Sequence, residues 1–198
     1  ANAVTSGGLF CKSRPDLAAP DLYITFMPAS YLKQGTLERE PGMAIGVLKS
    51  HPESMGTIRL RSPDPEEQPA IQPNYLSAPE DRRATIAGLH IIRPLFAAPS
   101  LARWSGGETR PGPEIASDKD LLEFVRRYAT TGIHFSTSCR MGIDPMAVVT
   151  PDLKVRGIES LRVIDVSIMP GCSSGNTHAP ALMIGEKGSD MILKDAAH

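Results

Sequence analysis

The sequence has few cysteines, no excess of either charge, no long apolar run and no internal repeat, and each of these absences removes a class of function. Three cysteines, Cys11, Cys139 and Cys172, cannot close a disulfide framework, and their wide spacing matches no metal knuckle. They point to a reducing compartment, with the cytoplasm as the expected location. The 21 basic and 22 acidic residues leave a net charge of -1, with no block of one sign to steer nucleic acid or an anionic membrane. Small molecules and proteins are the expected partners. No apolar stretch approaches the ~20 residues of a membrane-spanning helix. The opening Ala1-Asn-Ala-Val-Thr-Ser-Gly-Gly has neither the basic start nor the apolar core of a signal peptide, so a soluble chain is expected. A first residue that is Ala, followed by a Gly-rich segment with no obvious leading element, suggests a piece of a longer gene product.

What is present is enough for a core. A length of 198 residues with 41% hydrophobic side chains suits one ordinary domain or two small lobes. Strand character is expected over Leu22 to Met27, Met43 to Leu48 and Thr57 to Arg61. In the last of these, Ile58 and Leu60 should face one way and Thr57, Arg59 and Arg61 the other. Prolines at 63, 65, 69 and 73 fix the backbone and remove donors, so 62–75 should be an extended, turning loop. From Pro79 the period changes to 3.6, with Ile86, Leu89, His90 and Arg93 in step, which predicts a helix over 79–97 bent near Pro94.

A second helix is predicted over 118–129, capped by Ser117 and burying Leu121, Leu122, Phe124 and Val125. Trp104 to Pro113 reads as a Gly/Pro loop. After Ile133 come loop, an apolar strand from Leu161 to Ile168 of the kind buried in a parallel sheet, and a helix over 179–193. The pattern divides into a lobe over 15–130 and a return segment over 131–198.

The polar residues of the return segment allow several chemistries. A helix that starts after Ser173-Ser-Gly-Asn-Thr-His178 would present free N–H groups to an anion or an electron-rich ring edge. Asp165, the only charge in its run, would be costly to bury without donors, unless it caps a turn. His134 and His178 lie in polar loops, whereas His90 follows a helical pattern and His51 and His198 look exposed. A neutral imidazole at His134 can take a proton near neutral pH, and an amide at Asn176 can hold the hydroxyl that gives it up. Gly171-Cys-Ser-Ser-Gly175 also matches the G-x-S-x-G elbow of serine acyl hydrolases with Ser173 as nucleophile, but Met169-Pro170 intervenes and only Asp190, Asp195 and His198 follow as partners. His134, Cys139, Cys172 and His178 are zinc-type ligands at loose spacing.

Taken in order, His134-Phe-Ser-Thr-Ser-Cys-Arg-Met-Gly142, Leu161-Arg-Val-Ile-Asp-Val-Ser-Ile-Met-Pro170, Ser174-Gly-Asn-Thr-His-Ala-Pro180 and Met183-Ile-Gly-Glu-Lys-Gly-Ser-Asp190 resemble the C-terminal signature of the glucose-methanol-choline (GMC) family of flavin oxidoreductases. Gly56-Thr-Ile-Arg-Leu-Arg-Ser-Pro-Asp-Pro65 and Ile71-Gln-Pro-Asn-Tyr-Leu76 resemble its substrate lobe, so the likeness runs from about 40 to 193. It implies an α/β fold with an α+β lobe: an antiparallel-sheet substrate lobe plus the closing strand and helix of the FAD-binding domain.

The activity it implies is FAD-dependent oxidation of an alcohol, by an oxidase or dehydrogenase of the choline dehydrogenase type. In that family a histidine at the place of His134 is the base, hydride passes to flavin N5, and the partner position falls on Asn176. Asp165 and Val166 correspond to residues near the FAD phosphate and ribose, and Thr177 and His178 to the turn under the flavin pyrimidine. Two departures stand out. The Gly-rich dinucleotide turn of the family has no counterpart here, which implies an N-terminal FAD-binding polypeptide as partner. Phe135-Ser136-Thr137 replaces the more usual Pro-Val-Gly beside the base. A noncatalytic binding or assembly module with the same lobe is the alternative from another class.

Overall fold

The computed structural model describes residues 5–33 and 36–197, and its backbone contacts separate two compact units, one of 1–55 with 74–132 and one of 56–73 with 133–198. His198 lies outside the described residues.

The first unit holds a three-stranded antiparallel sheet in the order β1 (Gly7–Cys11), β2 (Leu22–Met27), β5 (Ala44–Lys49). Leu22 pairs with both Cys11 and Lys49, and Phe26 with Gly7 and Ile45, so the register runs unbroken across the three strands. β2 fits its sequence-based bounds, and β5 is shifted by one residue from them. β1 was not foreseen. Its Gly-Gly start hid it, and what makes it a strand is pairing with β2 together with Phe10 stacked on Tyr23 at 4.6 Å. A small hairpin, β3 (Tyr31–Lys33) with β4 (Thr36–Leu37), was also missed.

α1 spans Pro79–Ala97, as the periodicity predicts, with proline in the first turn and Pro94 inside. It lies close on the sheet because Gly88 has no side chain: an added Cβ would come within 2.4 Å of Val47 Cγ1. A short α2 (Pro99–Ala102) follows. α3 (Asp118–Tyr128) starts where expected, and Ser117 caps it by accepting the Asp120 N–H. Leu121 and Val125 close a core with Ile86, and Leu76, Leu89, Ile115, Leu122 and Phe124 pack around it.

Buried carboxylates fasten the loops of this unit. Asp81 on α1 accepts the backbone N–H groups of Glu53 and Ser54 at 2.9 and 2.8 Å. Asp21 accepts both the N–H and the hydroxyl of Ser13. Burial raises the Asp21 carboxyl, but the Ser13 bonds and Lys49 outweigh it and hold the group below its usual range. His90, on the outer side of α1, bonds Asp118 at 2.7 Å.

The second unit has far less regular structure. β6 (Thr57–Arg59) pairs with β7 (Ala70–Gln72). β7 arises within the stretch read as loop, because its prolines at 69 and 73 flank the strand without entering it. Ile58 and Leu60 are both exposed, at 58% and 85%, so the expected division into one wet and one dry face is not seen.

The expected strand over 161–168 does not form. Lys154 and Arg162 make an isolated antiparallel bridge, and Val166–Ile168 turns into a single 3-10 helix. Asp165 causes the change: its carboxylate accepts the Ser167 N–H at 2.7 Å and closes the turn locally, which ends any extended run. The apolar side chains are still used, since Val149, Leu153, Ile168 and Ile184 form the core, with Val163, Ile164, Val166 and Met169 against it. α4 runs His178–Ala196, slightly longer than expected at both ends. Gly188 lets it approach Ile164, whose Cγ2 would stand 2.3 Å from an added Cβ.

Candidate functional site

All six residues singled out as base, partner or cofactor contacts fall in the second unit. The His134 loop is tied to the 3-10 turn by backbone bonds: Cys139 N–H donates to Ser167 O at 3.0 Å and Met141 N–H to Ile168 O at 2.7 Å. Arg140 forms a two-pronged pair with Asp144 at 2.8 and 2.7 Å, and this guanidinium holds the Asp144 carboxyl well below the usual carboxylate range. At the far end of α4, Lys154 and Arg162 both pair with Asp195. These contacts bracket the segment in which the polar residues meet.

The central contact is between His134 and Thr177. Nδ1 of the half-buried imidazole lies 3.1 Å from the Thr177 hydroxyl oxygen, and the Thr177 backbone N–H points at the same nitrogen from 3.5 Å. Asn176 precedes Thr177 and His178 follows it, and both are exposed. Beside this, the Ser136 hydroxyl lies 3.2 Å from the Cys172 sulfur, which joins the His134 loop to the segment leading into α4. Ile133 and Thr137, on either side of the histidine, have φ of 59° and 72°. Both are β-branched, and for such residues the left-handed region is strained.

Asp165 and Val166 lie on the 3-10 turn. Asp165 is exposed, so it carries no burial cost; one oxygen closes the turn. Val166 directs its side chain into the core, which leaves its backbone as the part able to meet a ligand. Thr177 stands at the start of α4 with its side chain capping nothing. The first-turn N–H groups of His178 and Ala179 are therefore not taken by its side chain and lie at the positive end of the helix dipole, and this donor set suits an electron-rich or anionic ring edge.

The competing chemistries lack their partners. The Ser173 hydroxyl donates to the Gly175 carbonyl at 2.6 Å, and a carbonyl cannot take its proton as a hydrolase base must. Among the described residues no three His, Cys, Asp or Glu side chains gather to hold a metal ion, and Cys172 bonds Ser136. No described helix is long and apolar enough to cross a membrane. The His134–Thr177 bond was not foreseen. Its one sequence signal is Pro180, three residues after Thr177, which removes a donor that a capping side chain would use.

Comparison with known proteins adds to this geometry. The family model described as GMC oxidoreductase matches residues 52–185. An alcohol dehydrogenase [acceptor] of Pseudomonas putida is 42% identical over 195 residues, covering 98% of this chain and 35% of the relative. An oxygen-dependent choline dehydrogenase of Staphylococcus xylosus is 39% identical over 190 residues, covering 94% of this chain and 34% of the relative. The chain thus spans about a third of the length of these relatives. Among solved structures, pyridoxine 4-oxidase from Mesorbium loti matches with a TM-score of 0.85 and 27% identity over 94% of this chain and 37% of that one. A fungal aryl-alcohol oxidase matches with a TM-score of 0.76 and 30% identity over 91% of this chain and 28% of that one.

Proposed function

Since the chain belongs to the GMC oxidoreductase family, as its C-terminal portion, we propose that it is part of an FAD-dependent enzyme that oxidises an alcohol. FAD, when bound, supplies the hydride acceptor for the carbinol carbon. The protein's own residues prepare the alcohol: His134 takes the hydroxyl proton, and the Asn176 amide orients the oxygen that releases it. Thr177 and His178, at the open start of α4, would hold the pyrimidine edge of the flavin. Asp165 would meet a ribose hydroxyl, since a carboxylate accepts from a hydroxyl but repels a phosphate, and the Val166 backbone would lie beside it.

The remaining assignments follow from the same reading. Residues 15–130 form part of the substrate lobe, and 131–198 the return segment of the FAD-binding domain. A Gly-rich phosphate-binding turn comes from an N-terminal polypeptide of the same enzyme. The substrate is a small alcohol of the choline dehydrogenase type, supported by the relatives named above. Three free cysteines fit a cytoplasmic setting.

The observation that carries this reading is the half-buried imidazole of His134 hydrogen-bonded to the residue that follows Asn176, beside an uncapped helix start. In the complete enzyme, His134→Ala should slow flavin bleaching by alcohol in stopped flow by about 10²- to 10⁴-fold, with FAD still bound. Wild-type bleaching in that variant would remove His134 as base. Absence of FAD binding by the wild-type complete protein would instead favour a noncatalytic module.

A further inference from the structure

We propose that Thr177 is a positioning residue for His134: its hydroxyl accepts the Nδ1–H and so leaves Nε2 as the atom that takes the proton. The inference rests on the reading of His134 as base. A neutral imidazole carries its proton on one nitrogen only. To accept a second proton at Nε2, the ring must begin with its own on Nδ1. No described residue bonds Nε2, whereas both groups near Nδ1 belong to Thr177.

These two groups pull in opposite directions, and distance decides between them. The Thr177 backbone N–H can only donate, and would favour an unprotonated Nδ1. At 3.5 Å it is about half an ångström beyond the usual N–H separation of ~2.9–3.0 Å, so it contributes little. The hydroxyl at 3.1 Å is within range and can accept. It also serves after proton transfer, since the imidazolium that forms still donates from Nδ1 to Thr177.

A second observation explains why this hydroxyl is free. The same molecule has an ordinary polar cap for comparison: Ser117 has ψ of 148° and accepts the Asp120 N–H. Thr177 occupies the equivalent position of α4 with ψ of 1° and accepts nothing from its helix. A cap takes the N–H of the second or third helical residue. The third is Pro180, which has none, and the Thr177 hydroxyl lies against His134 Nδ1 instead of capping the helix.

A third observation shows that the His134 loop needs outside support. Ile133 and Thr137 both sit in the left-handed region, which is strained for β-branched residues. Local preference would relax this loop, and the bond to Thr177 helps to keep the ring in place against it.

The test uses the complete FAD enzyme with ¹⁵N-labelled histidine, the His134 resonances being assigned by their loss in His134→Gln. Wild type should show a proton on Nδ1 and a lone pair on Nε2. Thr177→Val should move the neutral ring to the opposite tautomer and lower kcat by about 10- to 100-fold with less change in KM, and Thr177→Ser should restore both. A proton on Nε2 in the wild type, or an unaltered tautomer in Thr177→Val, would overturn the proposal. The wild-type spectrum alone decides if the valine variant does not fold. Full activity in His134→Ala would refute the base reading itself, whereas loss there with an unaltered Thr177→Val tautomer refutes only the role of Thr177.

Discussion

The two units of the chain solve the same problem of satisfying their backbone in opposite ways. The first does so with repeated elements: an unbroken three-strand register, a 19-residue helix packed on it and a properly capped second helix. The second has one short strand pair, isolated bridges, one 3-10 turn and a 19-residue helix that no side chain caps at its start. The candidate chemistry lies entirely in the second. Regular pairing uses up backbone donors and aims side chains by rule, whereas irregular segments leave donors free and allow a ring to be placed by one bond. The cost of that freedom is visible as strain at Ile133 and Thr137.

The sharpest way to break this contrast is to empty each core. Leu121→Ala, at a fully buried site of the first unit, and Ile168→Ala, at 1% exposure in the second, should each cost about 2–5 kcal/mol in denaturant unfolding. Only Ile168→Ala should also alter the His134 ¹⁵N spectrum, because emptying that core lets the Ile168 backbone shift, and its carbonyl holds the end of the His134 loop through Met141. Equal spectral change in both variants would mean that the site is not locally built.

A smaller effect tests strain. Thr137→Gly removes a left-handed cost of about 1–2 kcal/mol but returns about 0.4–1 kcal/mol of backbone entropy to the unfolded chain. A net stabilisation of up to about 1.6 kcal/mol in thermal unfolding is expected, with a slower flavin reduction as the loop loosens. A destabilised variant would show that the loop is relaxed as it stands.

The smallest effect concerns acid. The Glu80 carboxyl, bonded by Arg83, is lowered to about 2 from an ordinary 4.5. A depressed group stabilises the fold above its unfolded value and loses that contribution as pH falls through the folded one. Stability should therefore decline from about pH 4.5 to about 2. Glu80→Gln should remove part of that slope; an identical slope in the variant would assign it to Asp21 and Asp144 instead.

Legibility followed the same division. α1 could be read because Pro79 and the spacing of Ile86 and Leu89 are local signals, and α3 because Ser117 closes it within three residues. β1 was not legible, since its strand character comes from partners more than ten positions away. The run from Leu161 to Ile168 was read as a strand because its composition is apolar; a two-residue hydrogen bond from Asp165 outweighed composition. The family signature points to His134 and Asn176 as candidates, and the structure sets a half-buried His134 against Thr177, the residue after Asn176. It indicated Thr177 only as part of the turn under the flavin, not its bond to His134, because that relation is between a side chain and a ring 43 positions apart.

Pro180 carries a consequence in time. A helix with no local clamp at its start opens and closes more readily there than at its centre, so the amide of Ala181, which bonds Thr177 O at 2.9 Å, should exchange its hydrogen with solvent sooner than the amides near Gly188. Each such opening also releases the hydroxyl that faces His134. The fraction of molecules with a firmly held ring is then tied to the fraying of one helical turn, and solvent exchange at that single amide becomes a clock for how often the His134 ring is held.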